Sequence, residues 1–118
     1  MSYVDGFVIP VPKKKLPAYR RMARDAGRLW RDHGAVEFRE SVADDVKVGK
    51  RTSFQRSVKL KRGETVVFSW IVYKSRAHRD RVNAKVMKDK RFAKMMDVAM
   101  PFDGKRMIYG GFKIVLDA

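Results

Sequence analysis

A chain of 118 residues, 45% of them hydrophobic, is long enough to close one core over residues 1–118 and too short for a second domain. It contains no cysteine, which excludes disulfides, thiolate nucleophiles and thiolate metal sites. Lys and Arg number 28 against 13 Asp and Glu, a formal charge of +15 whose field attracts polyanions, so RNA, DNA, anionic membrane and acidic ligands enter as candidate partners.

Residues 3–11, "YVDGFVIPV", are β-branched and aromatic and predict a first strand that Pro10 and Pro12 terminate. The cations of "MSYVDGFVIPVPKKK" follow this apolar stretch, the reverse of a secretory signal. No apolar run reaches membrane-spanning length, so a cytoplasmic protein without a membrane partner is expected. Leu16, Tyr19, Ala23, Ala26, Trp30 and His33 recur at helical steps of three and four, and Pro17 places the helix start near residues 14–17 because proline suits only a first turn. Gly34 ends that helix.

Residues 35–42 alternate apolar and polar and predict a half-buried strand. The following stretch to residue 64 has no long period, although Thr52 or Ser53 can cap a short helix. "TVVFSWIVY", residues 65–73, is apolar on both faces and reads as a central strand. Ser75 then caps a helix to about Lys88 with Val82, Asn83, Val86 and Met87 inward, and Asp89 caps a shorter turn carrying Phe92, Met95 and Met96. Asp103-Gly104 is a turn signal, and "RMIYGGFKIVL" reads as the last strand with a bulge or close approach at Gly110-Gly111.

This order is the split βαββαβ pattern of ferredoxin-like α+β sheets, with the helices on one face. Strands apolar on both faces need a second cover, which a second copy packed sheet to sheet supplies, so a homodimer is expected. The segments "VDGFVIPVPKKKL", "FSWIVYKSRAHRDRVNAKVM" and "MPFDGKRMIYGGF" together resemble the small bacterial YbaA-like family of unknown function, over essentially the whole chain. The resemblance implies the dimeric α/β-barrel superfamily, in whose members the usual ligand cleft lies between sheet and helices. Fold alone does not carry an activity across.

Two clusters merit a functional reading. The first is a small-molecule cleft of Trp30, His33, Ser69, Tyr73, Asn83, Arg106 and Tyr109, able to hold an aromatic or planar ligand. The second is the loop cluster Lys47, Lys50, Arg51, Arg56, Lys59, Lys61 and Arg62, with no acidic residue among them, able to contact phosphates without reading bases. Glu37 and Glu40 lie three apart on a strand and point to opposite faces, which disfavours a two-carboxylate hydrolase. Nucleotide-binding and nucleophile-elbow motifs are lacking, His78 reads as a surface residue, and no metal or cofactor is called for. Small-molecule binding or conversion by a homodimer is therefore the leading expectation. RNA or polyanion association ranks second, and an interaction dimer without catalysis third.

Overall fold

The structure is a computed structural model and describes residues 2–118. Its strands are β1 (Tyr3–Pro12), β2 (Glu37–Val42), β3 (Glu64–Tyr73) and β4 (Ile108–Lys113). The helices are α1 (Leu16–Asp32), α2 (Phe54–Ser57), α3 (Arg76–Lys88) and α4 (Lys90–Met96). The strands form one antiparallel sheet in the order β2-β3-β1-β4, the expected βαββαβ arrangement with two short helices added.

Pro10 does not end β1, which runs through it and closes at Pro12. β4 pairs only as far as Val8, and the Lys13 amide bonds Gly63 O on the β3 side at 2.9 Å. Strand alternation therefore turns the amide positions of residues 10 and 12 toward the side where β1 has no neighbour, and no ladder bond is lost. α1 begins one residue before Pro17, as a proline in the first turn requires. Ser75 and Asp89 cap α3 and α4 through side-chain oxygens that accept from His78 N and Arg91 N.

One face of the sheet carries the helices. Leu29, Tyr73, Val82 and Val86 form one buried cluster, Val11, Tyr19 and Val67 another, and Phe7 touches both. On the opposite face the loop of residues 43–63 covers a corner, burying Val58 and setting Phe54 edge-on to Phe68 at 5.9 Å. Gln55 secures that loop by donating its amide to Val46 O at 2.8 Å. The rest of this face is open: Phe68, Ile108 and Phe112 are exposed, as are Val115 and Leu116 beyond β4.

The last strand is shorter than expected, and Arg106 precedes it. Its guanidinium makes a two-pronged ion pair with Glu64 at 2.6 and 2.8 Å, bonds Asp103 at 2.9 Å and donates to Lys59 O at 3.1 Å. The residue is a clamp between the β3 entrance and the β4 approach. Arg106 holds the Glu64 carboxyl below its ordinary 4.5, chiefly by hydrogen bonding. A lowered folded-state value gives stability that is present above the unfolded value and lost as pH falls through the folded one. Glu64→Gln is expected to flatten the acid limb of a Tm-against-pH curve below about 4.5, and an unchanged limb would contradict this.

No bulge interrupts β4. Tyr109, Gly110 and Gly111 pair in step with Phe7, Gly6 and Asp5. Gly111 is instead a close approach, because a Cβ there would meet Tyr3 ring carbons at 2.7 and 2.8 Å.

Candidate functional site

The register places alternate side chains on the helix-bearing face: Asp5, Phe7 and Ile9 from β1, Phe38 and Glu40 from β2, Ser69, Ile71 and Tyr73 from β3, Tyr109 from β4. Glu37 and Arg39 fall on the other face, where Glu37 accepts from Trp70 Nε1 at 2.9 Å. Between the helix-bearing face and the helices lie two chambers that share a wall of Phe7, Trp30, Ile71 and Phe92.

The first chamber, about 380 Å³, sits under α1 and α4. Aromatic residues and the methionines Met22, Met95, Met96, Met100 and Met107 line most of it, so its surface is soft and adaptable. Its polar end is Glu40, Tyr19 and Ser69. Tyr19 donates its hydroxyl to Glu40 Oε1 at 2.7 Å, and Ser69 also hydrogen-bonds this carboxylate. Burial pushes the Glu40 carboxyl up, outweighing the two hydroxyl donors, while burial beside Glu40 raises the Tyr19 phenol and keeps it a proton donor. Glu40 remains accessible from an outer groove, so it stands at a mouth between solvent and an apolar interior.

The second chamber, about 390 Å³, lies between the sheet and α3. Asn83 Oδ1 accepts from Trp30 Nε1 at 3.1 Å and from Tyr73 OH at 3.4 Å. Asp5 pairs with Arg79 at 3.0 Å, and that guanidinium also lies 5.1 Å from the centre of the Tyr3 ring. Desolvation raises the Asp5 carboxyl against the pull of Arg79. Tyr109, largely exposed, stacks on Phe7 at 6.1 Å and forms the rim.

Of the expected cleft residues, Trp30, Tyr73, Asn83 and Tyr109 surround the second chamber, and Ser69 lines the first. Asn83 Oδ1 takes both of its bonds from side chains. His33 and Arg106 stand apart. His33 is the C-terminal cap of α1, and its Nε2 lies 2.8 Å from Asp89 Oδ2, which ties the end of α1 to the start of α4. His78 is half-buried rather than at the surface, accepting from Lys74 N through Nδ1 at 3.0 Å. Lys47, Lys50, Arg51, Arg56, Lys59, Lys61 and Arg62 are all exposed, with Arg56 Nε donating to Gly49 O at 2.6 Å. Among the described residues no group of three or more His, Asp and Glu converges on a metal position.

Three features escaped the sequence reading: the Glu40–Tyr19 bond, the Asp5–Arg79 pair and the methionine wall. Only Glu40 carried a local signal, as a carboxylate on the same strand face as Phe38 and Val42.

A four-stranded antiparallel sheet with helices on one face and an internal cleft defines an α+β protein of ferredoxin-like topology. The chain belongs to the family described as "Protein of unknown function (DUF1428)", whose model matches residues 2–104. It is 51% identical over 117 residues to "Uncharacterized protein YbaA" of Escherichia coli strain K12, covering 99% of both chains, and equally so to the protein of that name from Shigella flexneri. The crystal structure of a NIPSNAP-family protein of unknown function from Agrobacterium tumefaciens is similar with a TM-score of 0.57 at 15% identity, covering 96% of this chain and 87% of that one. At that identity the likeness concerns the fold. No helix among the described residues is long and apolar enough to cross a membrane.

Proposed function

We propose that the chain binds, as a homodimer, a small and mostly apolar molecule between sheet and helices, and presents one polar group of it to Glu40, Tyr19 and Ser69. The observation that carries this reading is a solvent-reachable carboxyl at the end of an apolar chamber, with a phenol donor at 2.7 Å, where partial desolvation raises it. Perturbed carboxyls in clefts are where proton transfer is organised. Glu40 takes or gives the proton, Tyr19 and Ser69 orient it, and the chamber excludes water. The volume suits a ligand of ordinary small-molecule size, for which pockets run about 300–1,000 Å³.

The stability of Glu40→Gln tests the carboxyl. A raised folded-state value means that stability is fully present below the unfolded value and falls as pH rises through the folded one. The glutamine variant is therefore expected to melt higher than the parent at neutral pH, with the gain vanishing in acid. If the variant melts lower at neutral pH, the carboxyl is not a desolvated one. A metabolite library screened by thermal shift is expected to give hits that Glu40→Gln weakens. A ligand at a hundred times its Kd stabilises by about 2.7 kcal/mol, well within detection. A screen without hits, or hits indifferent to Glu40, would remove the proposal.

Exposed Phe68, Ile108 and Phe112 support the homodimer, since apolar sheet faces in water are ordinarily covered. Light scattering after size exclusion reads twice the chain mass under this proposal, and Phe68→Glu halves it. A second reading places polyanions on the seven exposed cations of the loop 47–62. Steep loss of RNA affinity with salt, abolished by neutralising that loop, would favour it over the chamber.

A further inference from the structure

The outer stripe of α1 has a task that neither chamber explains. Arg20, Arg24, Arg28 and Arg31 recur at steps of four, four and three, which stacks them in one line on the helix. They overhang a groove of about 560 Å³ between α1 and β2, an edge strand with a neighbour on one side only. Their donors are largely free. Arg20 and Arg28 form no ion pair among the described residues, and Arg24 reaches only its neighbour Asp25, at 4.0 Å. Arg31 donates to Val36 O at 2.6 Å through Nη1. Of the two carboxylates lining the groove, Asp32 is already taken by Arg91 at 2.7 Å and Glu40 accepts from the Tyr19 hydroxyl at 2.7 Å. Like charges at this spacing repel, so the stripe weakens its own helix unless an anion meets it.

The floor below the arginines is apolar. Gly27 lets α1 settle over the Phe38 ring, for a Cβ at that position would stand 3.1 Å from the ring. The groove adjoins the interior: Tyr19, Phe38 and Glu40 line both it and the first chamber, and form the thin partition between them. We infer that the groove is the head-group end of that chamber, its arginines holding the carboxylate or phosphate of an amphipathic ligand whose acyl or aromatic body passes Glu40 into the apolar interior. Planar guanidinium forks match both anions in geometry. The inference rests on the chamber reading proposed above and adds the ligand class to it. A nucleic acid would need phosphates along the groove and no deep apolar tail, whereas only the side chains of Tyr19, Phe38 and Glu40 part this groove from an apolar chamber.

The test uses decanoate, decyl phosphate and uncharged decanol, titrated calorimetrically at low and high salt into the whole protein and into the R20Q/R24Q/R28Q variant. The three arginines are exposed, so the variant is expected to keep the parent's circular dichroism and to melt no lower, with any rise reflecting the relieved repulsion. Both anions should bind the parent about tenfold tighter than decanol at low salt, the gain from roughly one charge-assisted pair. High salt should shrink that advantage, and the variant should bind all three alike. Whichever anion binds more tightly names the head group. Equal binding of decanol and the anions by the parent overturns this inference and spares the chamber, as does an anion preference that survives in the variant. Failure of all three to bind overturns both readings. Arginine-dependent binding of a short oligouridylate without any decyl ligand would assign the stripe to nucleic acid instead.

Discussion

Trp30→Ala is expected to destabilise the protein by about 3–5 kcal/mol, the range for truncating a large aromatic side chain in a core. The indole packs against Phe38 at 6.4 Å and Phe92 at 6.1 Å and forms part of the wall between the two chambers. Removing it joins them and leaves Asn83 Oδ1 with the longer Tyr73 bond alone. Urea unfolding reads the loss, with Trp70 still available as the fluorescent reporter. Trp30→Phe separates packing from hydrogen bonding: it restores most of the ring and omits the N–H, and should remain about 1 kcal/mol short of the parent. A loss below that for the alanine variant would mean the chambers collapse to fill the space.

Gly111→Val should be nearly as damaging, for the opposite reason. The Tyr3 ring, itself almost fully buried and held from above by Arg79, lies over position 111. Any side chain at 111 drives that ring away and displaces the guanidinium that pairs with Asp5. Overpacking of this kind costs about 1–3 kcal/mol, or a Tm drop of roughly 4 °C per kcal/mol for a chain of this size. Alanine at 111 should show a smaller drop of the same sign. The neighbouring Gly110, where a Cβ would stand 3.7 Å from Phe112, should accept alanine with far less loss. Equal drops at the two positions would show that strand entropy, and not the Tyr3 contact, sets the requirement for glycine.

Local periodicity made the elements legible. The two-residue alternation in β2 and the apolar run of β3 set faces that the register confirms, including the divergence of Glu37 and Glu40. Ser75 and Asp89 announced two helix starts because a side-chain cap is a property of adjacent residues. The candidate site was legible only in part. Trp30, Tyr73 and Asn83 could be grouped from helix and strand phase, yet the Asp5–Arg79 pair joins residues 74 positions apart and leaves no periodic trace. His33 is legible differently: helical phase put it on the inward face, its place just before Gly34 suited the helix end, and it caps α1 there, captured by Asp89. Arg106 looked like a strand residue because the apolar run from Met107 follows it directly. Oxygens of Asp103, Lys59 and Glu64 outweighed that local preference.

The sheet order also governs how the chain is made. β1 comes first in synthesis, yet its partners are residues 64–73 and 108–113. At a translation rate of about 5–20 residues per second, at least about 3 s separate the end of β1 from the end of β3. During that interval Phe7, Val8 and Ile9 have no strand to pair with, and β4 arrives later still. An apolar segment that waits this long stays exposed, and β1 should be protected from protease only after β3 has emerged.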